Sequence, residues 1–131
     1  MTLAGVGAVM PEVLAAADEL AAAGIGCDVL CLTSPDLIFR AARARGGLGE
    51  GDPAIVEELL PAERAAPIVT VLDGHPHTLS FLGAIRGVRA ASLGVDDFGQ
   101  SGDVDDLYRH FGIDADTIAG AAVDLVERAT A

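Results

Sequence analysis

Asp73-Gly74-His75-Pro76-His77 places a carboxylate and two imidazoles within five residues. In an extended His-Pro-His both rings point to one side, and a nearby carboxylate would complete three ligands for a metal ion, the arrangement a metal-assisted hydrolase needs. The same imidazoles are also the side chains best suited to move protons near neutral pH. Both readings lack company. The third histidine, His110, falls on a separate helix, no spaced helical His pair supports a metal, and no nucleophile or paired carboxylate stands beside the turn. The preferred expectation is a turn in which Asp73 caps the following helix and the imidazoles lie at a surface or subunit contact.

Three other stretches suggest chemistry and mostly lose it on inspection. Asp97-Phe98-Gly99-Gln100-Ser101-Gly102-Asp103 combines two glycines, an aromatic anchor and two potential caps, Ser101 and Asp103, for the helix that follows. A helix amino end attracts anions, but Asp97, Asp103, Asp105 and Asp106 already fill that field, so a phosphate is disfavoured. Gly5-Val6-Gly7 resembles half of a dinucleotide fingerprint. The third glycine is missing and no acid ends the second strand, so tight strand–helix packing is the better reading. Gly46 to Asp52 (GGLGEGD) lacks the Gly-Lys-Ser/Thr ending of a phosphate loop and reads as a mobile surface loop. Cys27 and Cys31 lie roughly 13 Å apart along a strand, beyond disulfide reach, and read as small buried hydrophobes of a reducing compartment.

The elements that would position these groups are legible from pattern. Ile68 to Leu72 is apolar on both faces, as a strand covered by helices on both sides should be. Further strands are expected over Thr2–Gly7, Cys27–Thr33 and Arg89–Val95. Helices are expected over Met10–Ala23, with a stripe of Val13, Leu14, Ala17, Leu20 and Ala21, over Ser34–Ala44 with Ser34 as cap, over Pro53–Leu60, Thr78–Ile85 and Asp103–Phe111, and over Ala115–Ala129 after an Asp114 cap. Strands alternating with helices define a three-layer α/β/α domain with a mainly parallel sheet and right-handed crossovers. In such a sheet a small ligand would sit in the crevice where the first and third strands diverge, lined by Gly7 and Gly74.

The 131 residues make one domain, whose net charge of −12 comes from 20 acids against eight arginines and no lysine. Nucleic acid and anionic membranes are poor partners for such a surface, and no apolar run reaches membrane-spanning length. The first strand begins at the second residue, which suggests a domain cut from a longer protein, and the unbridged thiols suggest the cytoplasm.

Gly94-Val95-Asp96-Asp97-Phe98-Gly99-Gln100-Ser101 followed by Leu107-Tyr108-Arg109-His110-Phe111-Gly112-Ile113-Asp114-Ala115-Asp116-Thr117-Ile118 resembles the carboxy-terminal domain of the transketolase superfamily. Together with the Gly7-to-Leu20 turn and helix, Leu32-Thr33-Ser34-Pro35 and Val69 to Pro76, it is most similar to the homodimeric pyruvate dehydrogenases, the first components of 2-oxoacid dehydrogenase complexes. The resemblance implies four to five strands, four of them parallel in the order second, first, third, fourth, with an antiparallel edge strand supplied from upstream. It implies that thiamine diphosphate and magnesium belong to the parent enzyme and are held by other domains, so that this chain binds no cofactor and is inert alone. The chain agrees in having no Gly-Asp-Gly magnesium motif. The implied partners are the upstream domains, a second subunit and the acyltransferase core. The positions expected at an interface or small ligand are Asp73, Gly74, His75, His77, Asp97, Phe98, Gly99 and Ser101.

Overall fold

The central strands are the ones the chain buries most completely. A computed structural model describes residues 1–97 and 102–130. In it β1 (Thr2–Gly5) and β3 (Ile68–Val71) are buried at every position, while β2 (Asp28–Cys31) and β4 (Ala90–Leu93) are partly exposed. That gradient follows from the topology. The described sheet has four parallel strands in the order β2-β1-β3-β4, with Leu3 opposite Val29 and Val69, and Val69 opposite Ala91. The expected order and parallel sense are those observed.

Helices cover both faces. On one side α1 (Met10–Ala22) and α6 (Ala115–Thr130) close over Leu3, Val69 and Val71 with Val13, Leu20, Ile118 and Leu125. On the other, α2 (Pro35–Arg45), α3 (Ala54–Leu59) and α4 (Phe81–Arg86) close over Ala4, Ile68 and Leu72 with Ile38, Val56 and Leu82. Each fully buried Leu, Ile or Val contributes about 1.5–3 kcal/mol, so these two layers supply the main cohesion. α5 (Val104–Phe111) bridges β4 to α6.

Several local expectations shift. The α1 stripe is Val13, Ala16 and Leu20, and Leu14 is 53% exposed. Val13 and Leu20 keep their expected inward place, and Ala16 joins them. Strands two and four are four residues long, shorter than the apolar runs that announced them, although Leu32 N–H still donates to Gly5 O and Arg89 O still accepts from Ile68 N–H beyond their ends. Cys31 is exposed rather than buried, being the last residue of an edge strand, and Cys27 is half-buried with its thiol pushed up by desolvation. Ser34 stands at the cap position of α2, but its hydroxyl makes no capping bond. Asp103 does cap α5, accepting the Asp106 N–H at 3.0 Å.

Gly5 explains the first glycine pair. An added Cβ would lie 2.8 Å from Met10 Sδ and 2.9 Å from Val13 Cγ2, so strand and helix meet at backbone distance. The glycine-rich segment after α2 folds back on that helix, with Leu48 N–H donating to Arg43 O at 2.8 Å and a Cβ at Gly51 blocked 2.6 Å away by Arg40 O.

Candidate functional site

The turn after β3 is built by a proline and two hydrogen bonds. Pro76 opens a 3-10 turn (Pro76–Leu79) and has no N–H to give, so the first free donor is His77 N–H. The His75 ring reaches it: Nδ1 accepts from His77 N–H at 3.2 Å. Asp73 is therefore not the cap, because it stands too far upstream of that donor, and its side chain is exposed. The turn also begins two residues before the expected helix and is separate from α4.

The two imidazoles meet edge to face, with centroids 4.2 Å apart and planes at 71°. Their Nδ1 atoms face each other in direct contact. His75 Nδ1 thus meets both the backbone N–H and the ring of His77. Both inward nitrogens are engaged, and a metal ion would have to break this pairing to use them. Among the described residues no three His, Cys, Asp or Glu side chains converge to hold a metal ion.

The carboxyl ends of β3 and β4 are clamped together. Val95 N–H donates to Gly74 O at 2.7 Å, and a Cβ on Gly94 would come within 2.4 Å of that same oxygen and 2.8 Å of Pro76 N. After β1 the chain turns at Gly7 (φ +66°) straight onto the core, where Val9 is fully buried. Of the eight expected positions, the structure gathers Gly74, His75 and His77 into one rigid turn and leaves Asp73 exposed at its start. Asp97 follows β4 at the same carboxyl edge of the sheet. Phe98, Gly99 and Ser101 lie outside the described residues. His77 extends beyond the turn, lining a groove of about 400 Å³ with Pro35, Asp36, Phe39, Thr78 and Phe81.

One long-range contact escaped the sequence reading. Glu12, placed for the amino end of its own helix, accepts Ala115 N–H at 2.8 Å and caps α6 instead. Asp114 binds the Thr117 hydroxyl at 2.5 Å. Glu12, Asp105, Asp114 and Asp116 consequently share a cavity of about 190 Å³ with Arg109, and Arg109 pairs with Asp106 at 2.6 Å. Desolvation, then Asp116, Asp114 and Glu12, push the neighbouring Glu19 carboxyl above its usual range. A group whose folded pKa is raised favours folding below its unfolded value and loses that contribution as pH rises through the folded one. Glu19→Gln is therefore expected to raise the melting temperature at about pH 7, to leave it unchanged near pH 4, and to do less in high salt, because the group is exposed and screened. Equal melting shifts at both pH values would refute this.

A four-stranded parallel sheet in the order 2-1-3-4, wrapped by helices and carrying a turn at its carboxyl edge, defines a three-layer α/β/α domain. Residues 1–114 match the family model of the transketolase-like TK C-terminal domain, and the chain belongs to that family. Among solved structures, a split-gene transketolase in its inactive beta4 tetramer is 19% identical over 96% of this chain, with a TM-score of 0.69. At that identity it shows the fold. The chain spans 39% of that neighbour's length. No curated protein matches it. No helix among the described residues is long and apolar enough to cross a membrane.

Proposed function

We propose that this chain is the non-catalytic assembly domain of a pyruvate dehydrogenase-type enzyme, whose thiamine diphosphate and magnesium are held by upstream domains of the same protein. In this reading the parent decarboxylates pyruvate and passes the acyl group to a lipoyl carrier, while this domain supplies contacts and shape. The partners are the upstream domains and a second subunit, with the acyltransferase core as a further contact.

The observation that carries the reading is the closure of the sheet's carboxyl edge. The Gly74–Val95 bond, the Gly94 contact and the paired histidines close the carboxyl ends of β3 and β4 into one surface, beside the β1–β3 crevice where an open α/β sheet usually holds its ligand. Such a surface suits docking better than chemistry. Tetrameric assembly of the split-gene transketolase neighbour is in keeping with a domain that mediates subunit contacts.

The test is reconstitution. The 131-residue chain alone should neither bind thiamine diphosphate nor consume pyruvate. Adding the upstream thiamine-binding polypeptide should restore decarboxylation that the upstream polypeptide lacks by itself. Turnover by the isolated chain, or reconstitution with a 2-keto sugar phosphate as the preferred substrate, overturns the assignment.

A further inference from the structure

Two imidazoles that meet through the same ring nitrogen are arranged as ligands around one point. His75 Nδ1 and His77 Nδ1 face each other in direct contact, with the ring planes at 71°. Both residues are exposed, so neither ring is held there by burial in the core. An unprotonated ring nitrogen offers a lone pair, and His75 Nδ1 directs its own at the His77 N–H, 3.2 Å away. Two imidazole nitrogens bound to one ion, each about 2.0–2.1 Å from it, stand about 3 Å apart. A small parting of the rings therefore admits an ion between them. The bond given up, from His77 N–H, lies at an exposed residue where water takes its place.

The backbone fixes the two residues beforehand. Pro76 sets φ between them. His75 O accepts from Thr78 N–H at 3.0 Å, and His77 O accepts from Ser80 Oγ at 2.8 Å. On the β4 side, Val95 N–H donates to Gly74 O at 2.7 Å, and Gly94 lets Pro76 pass at backbone distance. Binding has to order only two side chains, which lowers its entropic cost. The surrounding charge favours a cation. Asp73 opens the same turn, exposed, and Asp36 lines the groove that His77 enters, with Arg40 on its carboxylate at 2.9 Å.

We propose that His75 and His77 form a two-imidazole seat for one divalent transition ion of the copper, nickel and zinc class, with water completing its coordination. Imidazole nitrogen selects these ions over magnesium and calcium, which prefer oxygen. Copper should bind most tightly, following the general order of affinities for such ligands. Among the described residues no third His, Cys, Asp or Glu side chain converges on the pair. The seat is therefore open and exchangeable, unlike a closed structural centre. A seated ion staples the residues on either side of Pro76 and stiffens the passage from β3 to α4. The inference makes no use of the assembly role, and failed reconstitution of decarboxylation leaves it untouched.

The test titrates the 131-residue chain with copper, nickel, zinc and magnesium chlorides by calorimetry, and follows copper by electron paramagnetic resonance. Cys31→Ser is the background, because the exposed Cys31 thiol is a competing soft ligand. One transition ion per chain should bind, with two imidazole nitrogens in the copper spectrum, and magnesium should not compete. His75→Ala and His77→Ala should each weaken copper binding at least about tenfold, a loss that even outer-shell changes around metals produce. His110→Ala, on α5, should change nothing. His77→Cys supplies another ligand at the same place and should bind zinc more tightly than His77→Ala. That comparison separates a ligand from a residue that merely shapes the turn, and it holds even if one alanine variant fails to fold. Absence of transition-ion binding, binding retained by the double variant His75→Ala/His77→Ala, equal loss in His110→Ala, or no gain from His77→Cys would each overturn the proposal.

Discussion

Gly94→Ala is expected to destabilise the domain by about 3 kcal/mol, at the upper end for overpacking a closely fitted site. The added methyl group would lie 2.4 Å from Gly74 O, 2.8 Å from Pro76 N and 2.9 Å from Pro76 Cα. All three are backbone atoms, so no flexible side chain can yield. The neighbouring Val95 N–H to Gly74 O bond of 2.7 Å holds the two segments at that separation, and the Pro76 ring stiffens one of them. Relief requires moving the β4 end away from the β3 turn, which breaks the bond. Urea unfolding should show the loss as a lower midpoint at unchanged slope. A variant within about 1 kcal/mol of the parent would mean that the turn is far softer than its contacts indicate.

Thr70→Val should act in the opposite direction. Thr70 lies in the middle of β3, opposite Ala4 and Ser92, and is completely buried. Among the described residues its hydroxyl has no hydrogen-bond partner. A buried, unpaired polar group costs about 1–3 kcal/mol, and valine has nearly the same shape without it. The variant is therefore expected to gain about 1–2 kcal/mol, or about 3–6 °C in melting temperature for a domain of this length. Thr70→Ser serves as the control, keeping the hydroxyl and losing the methyl group, and should be destabilised. If valine lowers the melting temperature instead, the hydroxyl has a bound water in solution.

The strand order was legible only through the family resemblance, whereas the alternation of strands with helices and the two-sided burial of the third strand rest on coarse signals. Ile68 to Leu72 is apolar at alternate and intervening positions, and helical patterns separate every pair of strands. The Asp103 cap was also legible, since its partner Asp106 lies three residues away. The misplaced cap at Asp73 has a local cause: Pro76 removes the nearest donor, and the histidine ring, seldom considered for capping, reaches the next one. Glu12 was read within its own helix because its true partner, Ala115, is 103 residues distant and no periodicity spans that interval. The apolar α2–α4 face was equally hidden. Phe39 and Leu48 resemble ordinary variation along an amphipathic segment until the fold leaves them 42% and 61% exposed. The turn residues Gly74, His75 and His77 lie together as the sequence spacing suggests, but their mutual geometry depends on the Gly94 approach from another strand.

The position of α6 bears on how the protein is made. Its residues Ile118, Ala122 and Leu125 are made after every strand of the sheet, yet they help seal the face formed by Leu3, Val69 and Val71, which emerge long before. At about 5–20 residues per second, the nascent sheet waits for α6 with that side covered by α1 alone. Vectorial folding of this domain therefore finishes only when the closing helix swings into place, and until then the unfinished chain is a natural client for chaperones.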